Sequence, residues 1–384
     1  MKSLLINTQL NTAQLITPQY TSLLHKRQHS SMPILTYITP WNSNGYQYTV
    51  DYIYKFDIIS PVWYTMKLST TQSTNNNKSS RFHAYIDGRL NTDNYYLTEL
   101  HNKSIEFNHT ISITPRILLE FDNAGTILKL IKSNKLQQYV THKIIALIQQ
   151  YSYNGIVLEC TNVYPITQQL INDKSIGNKL VNKFIVTFSR AIKQYNNKLL
   201  FILVVRPTNP NSLYYNYHDF LYTQSSVDYI SLMTYDYSAS STTPGGNAPI
   251  QWISDSIHNL IGVHNLNNHT ITNKLLIGLN YYGYQWNNMN QLQSQQPNAV
   301  ISDQWIYMIN DALNHNDLVT IDWLDDIAEH RVTIQHITDT IHTNIMMIPT
   351  VTSIYRRIEL CKKYNTGISI WELGQGNTDL ISLL

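Results

Sequence analysis

The stretch YNGIVLECTN, residues 153–162, has the composition of a buried strand in a parallel sheet. Isoleucine, valine and leucine follow one another without the polar alternation of a strand that faces water on one side. One carboxylate, Glu159, lies among these apolar residues. A buried carboxylate is costly unless it has a partner, so this residue links the question of the fold to the question of function.

Seven other runs share this character, and segments with helical spacing separate them. Continuous apolar strands that alternate with amphipathic helices predict a parallel sheet covered by helices. Eight such units predict an α/β fold, a (β/α)8 TIM barrel. A doubly wound open sheet is the alternative, because the number of strands does not show closure. The runs are residues 34–39, 56–64, 116–121, 155–160, 199–205, 229–236, 274–283 and 367–373, and the clearest helices are residues 136–151, 177–195, 248–261 and 352–364.

The interval between the seventh and eighth runs is too long for a single helix. It contains a helix candidate at 301–313 and extended segments near 319–324, 330–337 and 345–350. We therefore predict a β-rich excursion inserted between strands 7 and 8 of the barrel. Two polar segments, residues 66–80 and 241–249, are predicted to be surface loops. In this interpretation residues 1–31 form an N-terminal extension that packs on the barrel, and residues 32–384 form the barrel itself.

Composition excludes several classes of partner. The formal net charge is only +2 and 14% of the residues are charged, so we expect no nucleic-acid partner. The longest apolar run, LLFILVV at 199–205, is far shorter than the ~20 residues of a membrane helix, so we expect no membrane span. Two cysteines, Cys160 and Cys361, cannot form a disulfide framework and are expected to be buried thiols. The 14 histidines are scattered, so no metal or other cofactor is predicted.

In a barrel the functional site lies at the carboxyl ends of the strands, and aromatic and polar side chains are concentrated there. Such a rim suits a sugar, whose apolar face stacks on rings while its hydroxyls bond to polar groups. Each residue also has a structural explanation, such as packing for an aromatic or an ion pair of Glu120 or Glu372 with Arg116 or another cation. The strand-end residues are Tyr37, Trp41, Trp63, Tyr64, Arg116, Glu120, Glu159, Thr161, Tyr235, Asp236, Asn280, Tyr282, Trp371 and Glu372.

Several of these runs resemble those of chitinase-like members of glycoside hydrolase family 18. The similar runs are YITPWNSNGY, FDIISPVWY, SLMTYDYS, PGGNAPIQW, LLIGLNYYG and GISIWELGQG, and the similarity extends from about residue 4 to the end. LMTYDYS and SIWELGQG are the most specific. The resemblance implies a (β/α)8 barrel and a carbohydrate ligand. It also implies a secreted or lysosomal location, although the opening residues lack the apolar core of a signal peptide.

The resemblance also identifies the strand where catalysis is decided. Active members carry the pattern D-G-x-D-x-D-x-E on strand 4, and the final Glu protonates the glycosidic oxygen. In NGIVLECT the four acidic positions hold Asn154, Val157, Glu159 and Thr161. A threonine hydroxyl cannot act as a general acid at neutral pH, and Glu159 lies two residues deeper, about 6.6 Å along the strand. We therefore expect chitinase activity to be lost, with hydrolysis through Glu159 in a reorganised site as the alternative.

Other positions of the family pattern are kept. Tyr235 and Asp236 match a Met-x-Tyr-Asp motif that contacts the sugar in active relatives, and Trp371 matches the tryptophan beneath the sugar. Our hypothesis is a non-catalytic, lectin-like protein that binds an oligosaccharide, with N-acetylglucosamine-containing glycans as the first candidates. A scaffold for an unknown protein partner is a further alternative, and Glu159 has a structural interpretation as the acceptor of a hydrogen bond from Tyr235 or another interior donor. The predicted ligand-binding residues are Tyr37, Trp63, Glu159, Tyr235, Asp236, Asn280, Tyr282 and Trp371.

Overall fold

The predicted alternation of strands and helices is present in the structure, a computed structural model that describes residues 6–71, 81–207, 214–288, 296–337 and 343–384. These described residues form two sheets. The main sheet contains β1 (Ile34–Ile38), β2 (Ile58–Pro61), β3 (Tyr64–Thr71), β4 (Arg81–Asp87), β5 (Ser112–Ile113), β6 (Arg116–Phe121), β7 (Gly155–Glu159), β8 (Leu200–Val205), β9 (Tyr229–Leu232), β10 (Leu275–Asn280) and β16 (Gly367–Trp371). The second sheet contains β11 (Gly283–Asn288), β12 (Asn298–Val300), β13 (Leu318–Leu324), β14 (Glu329–Gln335) and β15 (Thr343–Ile348).

The main sheet is curled and almost entirely parallel. Its strand order is β4-β3-β6-β7-β8-β9-β10-β16-β1-β2-β5, and β3–β4 is its antiparallel pair. Only Val62 and Trp63 separate β2 from β3, and only Thr114 and Pro115 separate β5 from β6. The strands therefore have the arrangement of a TIM-type fold, in which the carboxyl ends of parallel strands meet at one rim.

Helices between the strands cover the outer face of this sheet. The four helices predicted most clearly from the sequence begin within three residues of the expected positions. Capping side chains set two of these starts, because Ser133 accepts a hydrogen bond from the amide of Leu136 and Asp173 accepts one from Ile176. The helices are α1 (Thr12–Ile16), α2 (Ser43–Asp51), α3 (Asn94–Glu106), α4 (Ala124–Lys132), α5 (Asn134–Tyr151), α6 (Val163–Ile171), α7 (Lys174–Tyr195), α8 (Tyr217–Thr223), α9 (Ile250–Ile261), α10 (His269–Thr272), α11 (Ser302–Asn314), α12 (Val351–Tyr364) and α13 (Thr378–Ser382).

Apolar side chains fill the space inside the curled sheet. All five residues of β1 are buried, as expected for a strand with apolar contacts on both faces. Within the described residues, no helix is both long enough and apolar enough to cross a membrane. The interior cluster contains Leu35, Tyr37, Ile58, Val62, Val157, Ile202, Val204 and Leu276, and half-buried Trp371 packs against it.

The second sheet is the β-rich excursion expected between strands 7 and 8. Its five strands are antiparallel in the order β12-β11-β15-β14-β13, and they lie between β10 and β16 in the sequence. Trp305 and Ile309 of α11 pack in a separate apolar cluster with Val332 and Met346 of this sheet and with Leu15 of α1. The excursion therefore has its own small core and begins directly at the rim of the main sheet.

The prediction of a surface loop at 66–80 was wrong for its first part. Residues 66–71 belong to β3, which pairs with both β4 and β6, and residues 72–80 lie outside the described residues. Met66 and Leu68 are buried in alternation with polar neighbours, a period-two pattern that the surrounding Ser and Thr residues obscured. The segment 241–249 lacks regular secondary structure as predicted, but residues 246–249 are buried.

Lys55 connects the N-terminal and C-terminal segments of the chain. Its side chain is fully buried, and Nζ donates to the carbonyl oxygens of Leu23, Lys26, Ser382 and Leu384 at 2.9 to 3.2 Å. Burial lowers the pKa of Lys55 to about 8, so the charged form still predominates at pH 7. The carbonyl oxygens replace the water that the ammonium group gives up on folding.

Replacing this lysine should destabilise the fold. We expect Lys55→Met to lower the free energy of unfolding by about 3 kcal/mol, because the variant keeps the methylene volume but removes four hydrogen bonds from a charged donor that joins the two terminal segments. Urea denaturation measures the loss. Lys135→Met, at an exposed position of α5, is the control and should change stability by less than about 0.5 kcal/mol. Equal stability of the two variants would contradict a structural role for Lys55.

Candidate functional site

Three aromatic rings meet at the carboxyl ends of β1, β9 and β16. The centroid of the Trp371 ring lies 5.3 Å from that of Tyr37 and 6.4 Å from that of Tyr235, with which it is stacked at an interplanar angle of 24°. Tyr37 and Tyr235 are buried, whereas Trp371 is half-buried. The two tyrosines therefore support an indole that keeps part of its surface accessible, the arrangement needed to stack on a sugar.

Hydrogen bonds fix the deeper of these rings. The Tyr37 hydroxyl donates to Oγ of Ser231 at 3.0 Å, and Ser231 donates to Oγ of Ser369 at 3.1 Å. Burial raises the pKa values of Tyr37 and Tyr235 above that of a free phenol, so both rings stay neutral at physiological pH. The two tyrosine rings that support Trp371 are thus uncharged, and hydrogen bonds hold that of Tyr37 in place.

Three residues in and beside β7 that the sequence analysis aligned with acidic positions have structural contacts or are buried. Val157 belongs to the apolar interior cluster, and Asn154, just before the strand, accepts a hydrogen bond from the amide of Ile113 at 2.8 Å. Thr161, at the position of the catalytic acid in active relatives, is 7% exposed. At these positions β7 contributes packing and backbone contacts rather than carboxylates.

Glu159 forms an ion pair inside the curled sheet. Arg116 lies opposite Val157 in the β6–β7 register, and Leu118 lies opposite Glu159, so the two charged side chains are diagonal neighbours on one face. Nε of Arg116 donates to Oε2 of Glu159 at 2.6 Å, and each side chain is 15% exposed. The guanidinium of Arg116 therefore occupies one oxygen of a carboxylate that is largely shielded from water.

This pair corrects the sequence interpretation in which Arg116 pairs with Glu120 or Glu372, and it selects among the alternatives left open for Glu120 and Glu159. Arg116 bonds to Glu159 and not to Glu120 or Glu372, because the β6–β7 register brings Glu159 beside it. Glu120 instead pairs with Lys67 on the adjacent strand β3 at 2.5 Å, in a partly exposed position. The interior donor to Glu159 is Arg116 and not Tyr235, whose ring contacts Trp371 and Tyr282.

Asp236 presents a carboxylate at the rim. Its backbone is in the left-handed region with φ +67°, and the residue is exposed. The hydroxyls of Tyr282 and Tyr284 both donate to Oδ1, the latter at 2.5 Å. Burial and the charge of Asp236 raise the pKa values of both tyrosines, so they remain hydroxyl donors. Within the described residues, Oδ2 has no hydrogen-bond donor and is free to accept one from a ligand.

Tyr284 and Trp286 were missed in the sequence analysis. Both lie on β11, the first strand of the second sheet, and both are buried in a cluster that also contacts Trp371. Nε1 of Trp286 donates to the carbonyl oxygen of Ser241 at 3.0 Å. The alternation of large aromatics in YYGYQW at 281–286 is the signal that could have identified them, because it continues the rim into a new strand.

The other predicted residues have structural contacts. Asn280 is buried, and its Nδ2 donates to the carbonyl oxygen of Tyr282 at 2.9 Å. Trp63 is also buried, and it donates to the hydroxyl of Tyr46 at 2.7 Å. The hydroxyl of Tyr64 contacts Thr92 and Tyr153, whereas Trp41 is 70% exposed. Of the predicted ligand-binding residues, the structure thus groups Tyr37, Tyr235, Asp236, Tyr282 and Trp371, with Asn280 behind them.

Metal and thiol chemistry find no support in the described part of the chain. It contains no group of three or more His, Cys, Asp or Glu residues that could hold a metal ion. Cys160 and Cys361 are free and buried, and burial raises the pKa of each thiol to about 12. Both cysteines are therefore unreactive packing residues.

Glu372 is a buried acid that completes a turn. It is fully buried and accepts hydrogen bonds from Nδ2 of Asn42 at 2.8 Å and from the amide of Gly374 at 3.2 Å. Burial raises its pKa to about 7, and these hydrogen bonds oppose the shift only in part. Its contacts cap the 3₁₀ helix Leu373–Gln375 that follows Trp371.

The raised pKa makes a pH-dependent prediction. The pKa of Glu372 is higher in the folded state than in the unfolded state. Its contribution to stability is therefore fully present below the unfolded-state pKa and is lost as the pH rises through the folded-state pKa of about 7. We expect the free energy of unfolding of the wild type to fall by up to about 3 kcal/mol relative to Glu372→Gln between pH 4.5 and pH 8. Urea denaturation at several pH values measures this difference. Exposed Glu120→Gln is the control and should parallel the wild type, and the same parallel behaviour of Glu372→Gln would refute the prediction.

Comparison with known proteins agrees with this geometry. The family described as "Glycosyl hydrolases family 18" matches residues 33–376. The uncharacterized glycosylase YvbX of Bacillus subtilis (strain 168) is 23% identical over 239 residues, covering 58% of this chain and 64% of that protein. The match therefore spans less than two thirds of that relative's length.

Solved structures show the same fold. A chitinase from Chromobacterium violaceum ATCC 12472 gives a TM-score of 0.66 at 14% identity, over 92% of this chain and 98% of that one. A family 18 N-acetylglucosaminidase from Paenibacillus barengoltzii gives 0.63 at 12% identity, again over 92% and 98%. The Bacillus cereus spore cortex-lytic enzyme SleL gives 0.65 at 14% identity, over 92% and 73%. The family match covers most of the chain, which therefore belongs to the glycosyl hydrolases family 18.

Proposed function

We propose that this protein binds oligosaccharides at the aromatic rim and does not hydrolyse them. The observation that carries the proposal is the ion pair between Arg116 and Glu159, the carboxylate at the end of β7. Thr161, just after the strand, occupies the position of the catalytic acid in the family pattern. Family membership supports carbohydrate as the ligand class. The proposed protein therefore binds carbohydrate, as the family does, but does not hydrolyse it.

Hydrolysis of a glycosidic bond needs a proton donor at the leaving oxygen. Thr161 cannot supply the proton at neutral pH, and the Glu159 carboxylate is already bonded to a guanidinium at 2.6 Å. Glu159 is the last residue of β7, and Thr161 lies in the turn that follows the strand. The guanidinium of Arg116, and not a leaving group, therefore occupies the carboxylate at the end of β7.

Binding needs an apolar platform and polar groups at its edge. Trp371 offers a half-buried indole supported by Tyr37 and Tyr235. Asp236 offers the free oxygen Oδ2 for a sugar hydroxyl, next to the neutral phenols of Tyr282 and Tyr284. The similar structures described as a chitinase and an N-acetylglucosaminidase make chito-oligosaccharides the first ligands to test.

We also propose that the main sheet closes as a (β/α)8 barrel. The chain joins β2 to β3 and β5 to β6 across two-residue breaks, so each pair acts as one bent strand between its neighbours. Residues 6–31, the described part of the predicted extension 1–31, are then packed on the barrel, and the contacts of Lys55 with Leu23 and Lys26 support this. The quoted motifs resemble those of chitinase domain-containing protein 1, and a secreted or lysosomal location remains a prediction from that resemblance.

The first test measures binding of chitotetraose by isothermal titration calorimetry. We expect Trp371→Ala to weaken the affinity at least about tenfold, because the variant removes the stacking platform. Trp371→Phe, which keeps an aromatic face, should retain most of it. Trp41→Ala removes an indole that is 70% exposed and lies outside the ring cluster, and it should bind like the wild type.

Two results would count against the binding hypothesis. Unchanged affinity in Trp371→Ala would show that the sugar does not stack on this ring. Absence of binding to chitotetraose and to a glycan array would favour a scaffold for a protein partner instead. Urea denaturation of each variant separates loss of binding from loss of folding.

The second test concerns hydrolysis. With a fluorogenic chitobioside at high protein concentration, we expect the wild type and Glu159→Gln to release no more fluorophore than buffer. The reason is that Thr161 cannot donate a proton to the leaving oxygen. Turnover by the wild type that disappears in Glu159→Gln would refute the non-catalytic assignment. It would instead identify Glu159 as a relocated acid.

A further inference from the structure

The loop that follows Asp236 is attached to the second sheet by buried polar contacts. Oδ1 of Asn247 accepts a hydrogen bond from the amide of Asp236 at 2.8 Å, and the carbonyl oxygen of Asn247 accepts one from the amide of Tyr237 at 2.9 Å. Nδ2 of Asn247 donates to the carbonyl oxygen of Tyr282 at 3.2 Å. One fully buried asparagine thus joins the backbone of Asp236 to that of a tyrosine that binds its carboxylate.

Asn247 is itself held by a buried ion pair. The amides of Asn247 and Ala248 donate to the two carboxylate oxygens of Glu329, at 3.0 and 2.8 Å. Nη2 of Arg357 donates to Glu329 at 2.8 Å and also to the carbonyl oxygen of Ala248. Glu329 is the first residue of β14 and Arg357 lies on α12, and their exposed fractions are 3% and 1%. The pair therefore fixes the loop against the second sheet in a place without access to water.

These contacts explain the backbone of Asp236. The left-handed region at φ +67° is unfavourable for most residues other than glycine and less so for aspartate, so contacts with its surroundings can hold Asp236 there. The hydrogen bond from its amide to Asn247 supplies that constraint on one side, and the hydroxyls of Tyr282 and Tyr284 supply it on the other. Both sets of contacts lead to residues of the excursion or of the loop it holds.

We propose that Asn247 is the positioning residue for Asp236, and that the Glu329–Arg357 pair holds Asn247 in place. The inference rests on the proposed function, because it assigns to Asp236 the contact with a sugar hydroxyl. The five-stranded sheet then influences ligand affinity at the rim, although Glu329 and Arg357 do not contact the sugar. Asn247 acts only through Asp236 and Tyr282.

A double-mutant cycle tests this assignment. Chitotetraose binding is measured by calorimetry for the wild type, Asn247→Ala, Asp236→Asn and the double variant. We expect Asn247→Ala to lose at least about tenfold in affinity, and the double variant to bind no more weakly than Asp236→Asn alone. Wild-type affinity in Asn247→Ala overturns the proposal, and so does a double-variant loss equal to the product of the two single losses.

Asn182→Ala is the matched control for the loss of a buried asparagine. Asn182 accepts from the hydroxyl of Tyr164 at 2.7 Å and donates to Asp219 at 2.7 Å, in the helical layer outside the sheet. It should lose stability but keep the affinity of the wild type. An equal loss of affinity in Asn182→Ala would show that general destabilisation explains the result, and it would overturn the proposal.

Asn247→Asp is the conservative variant and adds a pH readout. An aspartate there accepts from the amide of Asp236, but its second oxygen faces the carbonyl oxygen of Tyr282. The neutral acid can donate to that carbonyl as asparagine does, and burial beside Glu329 favours the neutral form. We expect the ratio of the affinity of Asn247→Asp to that of the wild type to rise as the pH is lowered from 8 to 5.5. A ratio that stays low at both pH values overturns the positioning role.

Failure of the proposed function can be distinguished from failure of this inference. If the wild type binds neither chitotetraose nor any glycan of the array, the proposed function fails, and a crystal structure of Asn247→Ala decides on positioning alone. Asp236 outside the left-handed region, with its bonds to Tyr282 and Tyr284 broken, supports the inference. An unchanged Asp236 overturns it.

Discussion

The parallel direction of the strands in the main sheet is the constraint on which the site depends. Parallel neighbours bring their carboxyl ends to one rim, so residues far apart in sequence, such as Tyr37, Tyr235 and Trp371, become ring contacts. The same geometry requires each interior side chain to fit between its neighbours. A charged side chain in that interior must find its partner on an adjacent strand, as Glu159 does with Arg116.

This requirement explains the side chains that β7 places inside the curled sheet. Several carboxylates facing one interior would repel each other and would have to share protons or solvent. Val157 instead belongs to the apolar cluster, and Arg116 neutralises the carboxylate of Glu159. The interior next to β7 is therefore packed and its charges are paired. The aromatic floor needs no such charge and persists beside it.

Much of the fold could be predicted from the sequence because strong periodic patterns carry it. The apolar runs located the parallel strands, and the amphipathic segments located four helices within three residues of their starts. The hairpin strand β3 was missed because Thr and Ser occupy its exposed face and give it the composition of a loop. Within the site, the resemblance pointed to Asp236 and Trp371. The partner of Arg116 could not be predicted, since it depends on the register between β6 and β7.

Tyr284 and Asn247 escaped prediction for a deeper reason. Both reach the rim from segments whose positions are set by the second sheet. The relative orientation of two sheets cannot be predicted from the periodicity of their strands. Glu329 and Arg357 are 28 residues apart, and their buried pairing fixes that orientation at one point. Removing one partner of such a pair leaves an uncompensated buried charge. The excursion is therefore attached to the rim of the main sheet beside Asp236, and its position sets the positions of the residues that contact this carboxylate.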